Sequence, residues 1–487
     1  MKSLKYFFSV GIGIGLFLFS TSCSKNDLAK VNKDLNDATD VGAINELPAA
    51  TMETVFGTAG TDIAWYSSLF IEQSTGVDEQ FYDADRRNGV TSASLMDNSW
   101  NSIYDNLMIL NDMITKCSPG GSEPDNKGTL GIAQILTAYN LAVLTDMWGD
   151  IPWSEALKGL GNVHPKYDSQ QDVYAAIFGL LNAAISNLTN ASLVSGLAKQ
   201  DLIYGGDFTL WTKAAWSLKA RYFMRLEKRQ PVYIDSVLVC VPNGFTDASD
   251  ALVFNKYENS STGANPWYDF TYQDRGDLCS GETLYNLMND RSDPRMSAYF
   301  LNPDGDGSTP IVPAPNGEAQ RTRAGYGVYS FSAITGTEDG WSAPTPLMSY
   351  HELLFLKAEA LARKGNTGYI NALEDAITAN FIFHGLDAGS ASTYFTTEVL
   401  PRLGTDMQSN LQEILTQKYI GEYEAESIEA YDDYRRTGIP QMHNPANQLT
   451  NFGFVQRYPY PSSEVTSNPN NIPKNINIFK DPVWWAK

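Results

Sequence analysis

Histidine and cysteine are scarce, four of each in 487 residues. His164, His351, His384 and His443 are scattered, and no H-E-x-x-H, G-x-S-x-G or G-x-x-x-x-G-K-[ST] stretch occurs. The spacings that mark a zinc hydrolase, a serine hydrolase or a phosphate-binding loop are therefore missing. Apart from Cys23, the cysteines are Cys117, Cys240 and Cys279, an odd number, widely spaced and without C-x-x-C. That pattern implies neither a disulfide framework nor a zinc site, and at most one bridge forms. Basic residues are also in the minority, 35 Lys and Arg against 56 Asp and Glu, for a net charge of −21. Such a surface argues against nucleic acid or anionic lipid as the main partner.

Long apolar runs are equally few. The first opens the chain, in "MKSLKYFFSVGIGIGLFLFSTSC": two lysines, a short glycine-containing apolar stretch, then small residues before Cys23. It falls short of the roughly 20 apolar residues of a membrane span and reads as a signal peptide over residues 1–22. "STSC" resembles a lipobox, which makes Cys23 the acylated first residue of the mature chain, palmitate being one candidate chain. The competing reading is an ordinary secretory signal cut at a neighbouring small residue. Several acyl chains, at roughly 0.8 kcal/mol per buried methylene, are enough to anchor a protein that spans nothing. The second run, "TLGIAQILTAYNLAVLTDMW" at 129–148, is interrupted by Gln134, Asn140 and Asp146, as in a buried core helix.

Residues 23–47 are polar and lack sustained periodicity, which predicts an anchor and tether, with order beginning near Pro48. A single domain is expected over 48–487. Apolar spacing predicts helices at 61–74, 95–116, 128–148, 169–189, 209–228, 346–364, 367–383 and 407–436. The segment 346–383, with "KGN" between two apolar faces, reads as an αα-hairpin of the tetratricopeptide kind. Residues 230–345 change character, rich in Gly, Pro, Asn, Asp and aromatics, and read as a loop-rich insert of the sort that often carries function. "DMWGDIPW" places Trp148 and Trp153 about a helix stop, Gly149 capping and Pro152 preventing extension, and is read as a packed corner.

Seven segments in order resemble the SusD/RagB-like outer-membrane lipoproteins, in the SusD-like branch. They are the Cys23 lipobox, "DMWGDIPWSEAL", "KAAWSLKARYFMRLEKRQP", "NDRSDPRMSAYF", "SYHELLFLKAEALARKG", "EAYDDYRRTGIP" and "RYPYPSSEVTSNPNN". The resemblance implies a mainly α fold, four tetratricopeptide-like helix pairs with a loop-rich irregular half packed against them. It also implies a surface lipoprotein of the outer membrane, held through Cys23, that captures oligosaccharide and passes it as a lid to a SusC-like TonB-dependent transporter. Catalysis is not implied. Peptides or other non-sugar nutrients are the alternative ligands. A glycoside hydrolase, whose paired acids are defined by distance in space, and a purely structural surface protein are the competing classes.

A sugar site needs flat aromatic faces for C–H surfaces and planar Asp, Asn or Arg groups for paired hydroxyls. Segments 65–88, 265–277 and 324–341 have that composition, and within them Trp65, Tyr82, Asp85, Arg86, Trp267, Tyr268, Tyr326 and Trp341 are the candidate ligand-binding residues; burial in the core is the competing role for each. Asp304 and Asp306 in "NPDGDGS" are the calcium candidates, though without the distal Glu of an EF-hand loop a plain turn is the simpler reading. No other metal or cofactor is expected. The acidic run "EYEAESIEAYDD" at 422–433 is read as a solvated helix face. Arg221, Arg225, Lys228 and Arg229 form a basic patch expected to pair with carboxylates.

Overall fold

A computed structural model describes residues 41–93, 95–322, 327–442 and 452–487. The leader, Cys23, most of the tether, Tyr326 and His443 lie outside the described residues. The principal helices are α1 (Ala43–Glu53), α2 (Asp62–Phe70), α3 (Asp97–Cys117), α4 (Lys127–Trp148), α5 (Gln170–Thr189), α6 (Phe208–Arg225), α7 (Tyr350–Arg363), α8 (Tyr369–Phe383), α9 (Met407–Gly421) and α10 (Ser427–Thr437). Helix α1 begins five residues before Pro48, earlier than the polar composition suggests. Proline removes one backbone donor, but Ala43, Leu47 and Ala50 bury completely on the face that holds the turn.

Helix α4 is the centre of the scaffold, packed between α3 and α5, while α6 lies against α5. Helix α7 joins the second half, pairing with α8 and touching both α9 and α6. The mainly α, helix-pair architecture is therefore the one expected. Gly128 to Trp148 is buried throughout, and this is the one described helix long and apolar enough to cross a membrane. Its polar residues are answered by protein. Asn140 donates to Thr54 Oγ1 at 3.0 Å and accepts from Thr58 at 2.6 Å, and Gln134 accepts from Asn187 at 2.9 Å. Asp146 accepts from Tyr174 and Trp485 at 2.6 and 2.7 Å. Such pairing is what a buried polar group requires.

Among the described residues six short strands form three antiparallel pairs, β1 (Ser74–Gly76) with β3 (Leu278–Ser280), β2 (Leu252–Phe254) with β6 (Thr345–Met348) and β4 (Phe300–Leu301) with β5 (Phe331–Ser332). In the first pair Thr75 faces Cys279. The first two pairs tie the loop-rich segment 230–345 to residues 74–76 and to the strand that leads into α7, and the third closes the segment on itself.

The corner after α4 is packed as read. Trp148 is fully buried and donates through Nε1 to the Pro459 carbonyl at 2.8 Å, while Trp153 is half-buried. Gly149 holds φ +86°, ψ −115°, a conformation open to glycine, and a Cβ there would sit 2.7 Å from the Arg457 guanidinium. Gly149→Ala is expected to destabilise the protein by about 1–3 kcal/mol. Urea unfolding measures this; an unchanged midpoint would show that the corner tolerates a side chain.

The acidic run departs from expectation. Helices α9 and α10 are separate, broken at Glu422–Glu426, where Glu424 takes φ +56°. Glu422, Glu424, Glu426, Glu429, Asp432 and Asp433 are all buried, not solvated. For all but Glu424 the reason is cations from elsewhere in the chain: on α6, Arg221 meets Glu352, Glu426 and Glu429, and Arg225 meets Asp146, Glu429 and Asp432. Lys418 reaches Asp433 at 2.6 Å, and Arg436 clasps Glu359 with two bonds of 2.6 and 2.8 Å. Burying so many charges is tolerable because each network carboxylate has a cation opposite.

Candidate functional site

The β1–β3 pair brings two of the three loop-rich candidate segments together, 65–88 and 265–277. Between them lies a groove with a cavity volume of about 500 Å³. Trp65, Tyr66, Leu95, Met96 and Phe270 supply its apolar floor, and Asp62, Gln80, Asp97, Asn98, Asp274 and Arg275 its polar lining. Gln80, Asn98, Asp274 and Arg275 are exposed, so planar amide, carboxylate and guanidinium groups ring an aromatic floor. Trp65 does not present a free face, because Phe270 stacks on it at 4.2 Å between centroids and 23° between planes. Its Nε1–H is buried and has no hydrogen-bond partner among the described residues. Burial raises the Asp62 carboxyl above its usual range, with Arg275 pulling the other way.

Other candidates brace this region. Asp85 is buried and accepts from the Gly317 amide at 2.6 Å; burial pushes it up to about 7 against the pull of Arg87 and that amide. Arg86 donates to the Ala319 carbonyl at 2.6 Å and lies 3.7 Å over the half-buried Tyr82 ring. Asp85 and Arg86 thus tie the first segment to 317–319, with the Tyr82 ring packed under the Arg86 guanidinium. Tyr268 is buried and accepts from Gln273 at 2.6 Å. Tyr326 lies outside the described residues.

Trp267 stands edge-on to Trp65, 6.5 Å between centroids and 88° between planes, and lines a second cavity of about 410 Å³. Half-buried Trp341 adjoins it, its carbonyl accepting from the Asn265 amide at 2.9 Å. Glu424 and His384 also line this space. Asp304 and Asp306 are occupied within their own turn, Asp304 accepting from Thr309 at 2.9 Å and Asp306 from the Ser308 amide at 2.8 Å.

Sequence reasoning missed Asp62, Gln80, Asp97, Asn98, Phe270, Asp274 and Arg275. Most sit inside the segments already singled out, where composition does not rank one residue above another. Asp97 and Asn98 carry no signal of their own, being delivered by the left-handed turn at Met96, φ +70°.

Residues 43–461 match a SusD-like family described as starch-binding and associating with the outer membrane. A SusD/RagB family protein from Bacteroides thetaiotaomicron is 33% identical, with a TM-score of 0.82 over 92% of this chain and 99% of its own. A chitin-binding SusD homolog from Flavobacterium johnsoniae aligns at 22% identity and TM-score 0.74, covering 91% of this chain and 99% of its own. A SusD homolog from Bacteroides fragilis gives 21% and 0.75, covering 92% and 100%. Comparison with curated protein sequences gives no match. A match over most of the chain, with a relative a third identical along nearly its whole length, means that this protein belongs to the SusD-like family of outer-membrane nutrient-binding proteins.

Proposed function

We propose that this protein captures glycan chains at the cell surface in the Trp65–Phe270 groove. It then passes them, as a lid, to a SusC-like TonB-dependent transporter. The observation that carries the reading is the pairing of an apolar aromatic floor with exposed Gln80, Asn98, Asp274 and Arg275. A pyranose presents the matching surface, one C–H face and an edge of paired hydroxyls. The absence of the usual enzyme motifs favours binding over turnover. Anchoring to outer-membrane lipid through acylated Cys23 is part of the same proposal, supported by the leader sequence and the family's outer-membrane association.

The test is affinity electrophoresis and calorimetry against starch, chitin oligosaccharides, other glycans and a peptide panel. With whichever glycan binds, the double variant Asn98→Ala/Arg275→Ala is expected to weaken affinity at least tenfold, about 1.4 kcal/mol, with an unchanged melting temperature. Both side chains are surface groups, so folding should not suffer. Binding of peptides alone would move the ligand class, and release of sugar from polysaccharide would make the protein an enzyme.

A further inference from the structure

The cavity lined by Trp267 is separate in its chemistry from the groove. Its walls are mainly aromatic and aliphatic, with Trp267 and Phe383 among alanines; Asn265, Ser297, Thr335 and Thr345 add neutral polar groups, and two titratable side chains line it, Glu424 and His384. Glu424 is 5% exposed and accepts from Thr335 Oγ1 at 3.0 Å, with Ser332 as its other partner. Among the described residues no cation bears on that carboxyl, whereas the carboxylates of the ion-pair network each face an Arg or Lys. The nearby titratable groups are Tyr423, held in its neutral form by burial, and His384, which burial also keeps neutral. His384 Nε2 is itself buried without a hydrogen-bond partner among the described residues.

The backbone at Glu424 is held at φ +56°, a conformation that costs a non-glycine residue, so this carboxyl is placed where helices α9 and α10 part. A buried acid without a cation pays the full desolvation of its charge unless it keeps its proton; accordingly burial pushes Glu424 up to about 7. A positively charged ligand would remove that penalty, and an indole beside it adds cation–π attraction. The net charge of −21 favours the approach of cations over anions. A volume of about 410 Å³ holds a compact ring.

We propose that this cavity is a second ligand pocket, taking a small organic cation in which a protonated amine on a ring-sized body meets Glu424 while the ring packs against Trp267. An amino sugar and a non-sugar cyclic amine share this chemistry. The pocket is independent of the groove, since neither Asn98 nor Arg275 lines it.

Calorimetry on the full chain with cyclohexylamine and its neutral counterpart cyclohexanol tests the idea. Cyclohexylamine is expected to bind at least tenfold more tightly than cyclohexanol at about pH 8. Its affinity should fall about tenfold by about pH 6, because the bound cation requires ionised Glu424, and binding at the lower pH should release a proton. Glu424→Gln should abolish both the preference and the pH dependence. Ala298→Leu, which fills the cavity and leaves Glu424 in place, should abolish binding, with circular dichroism confirming that both variants fold. Glucosamine against glucose then assigns the source: a glucosamine preference points to amino sugars, and cyclohexylamine binding alone points to non-sugar amines. Equal binding of amine and alcohol, amine binding unchanged in Glu424→Gln, or no binding of either amine would overturn the proposal.

Discussion

Replacing Arg436 by alanine is expected to destabilise the protein by about 3–5 kcal/mol, the cost of leaving a buried charge unpaired. Arg436 is almost wholly buried on α10 and holds Glu359 of α7 with two parallel bonds of 2.6 and 2.8 Å. It also donates to Asp433 at 3.0 Å. Burial alone would raise both carboxyls. Arg436 and Arg363 hold Glu359 below its usual range, and Lys418 and Arg436 do the same for Asp433. Without Arg436, Glu359 keeps Arg363 alone and the α7–α10 clasp is open. The double variant Arg436→Leu/Glu359→Leu should be less destabilised than the sum of its two single replacements, because each single leaves a partner stranded. Urea midpoints for the four proteins give the comparison. A loss below about 1 kcal/mol for Arg436→Ala would mean that water or a rearranged neighbour replaces the guanidinium.

That clasp also marks the limit of what was legible in the chain. Helical periodicity located the scaffold because a helix buries one stripe or, in α4, every side, and both patterns are local. The hairpin of α7 and α8 was readable for the same reason, its turn at Lys364–Asn366 carrying Gly365 at φ +66°. The acidic run was not readable, because its partners lie far away in sequence: Arg225 is about two hundred residues from Glu429. Locally the run has the composition of a solvated face, and only the tertiary fold supplies the cations. The break between α9 and α10 is hidden likewise, since nothing near Glu424 in the sequence announces a left-handed residue.

For the groove, composition found the segments and not the contacts. Trp65 and Trp267 were both chosen as flat faces, yet Phe270 covers one and the other turns edge-on toward it. Which side of an indole meets solvent depends on the β1–β3 register, a pairing between segments two hundred residues apart. The exposed polar groups that give the groove its character, Gln80, Asn98, Asp274 and Arg275, are common surface residues with no pattern among them.

Two buried acids, Asp85 and Glu424, should each lower stability as pH rises from about 6 to about 7.5. Burial pushes Asp85 and Glu424 up to about 7. A carboxyl raised in the folded state binds its proton more tightly there than in the unfolded chain, where the value is about 4. Its stabilising contribution is complete below the unfolded value and is lost as pH climbs to the folded one. From about pH 6 to about 7.5 each group should remove about 1 kcal/mol. His351 and His384 work in the opposite sense. Burial holds them neutral in the fold, lowering His351 to about 3, so they favour folding above the unfolded histidine value and offset part of the loss. The carboxylates below their usual range, Glu359 and Asp433, are ionised in both states throughout this window and add no slope; their contribution is lost only as pH falls through their folded values. Asp85→Asn keeps an acceptor for the Gly317 amide, and Glu424→Gln keeps one for Thr335. The double variant should therefore gain about 2 kcal/mol on wild type across the window, shown by urea midpoints taken at several pH values. Parallel pH curves for the two proteins would mean that neither acid holds its proton in the folded state.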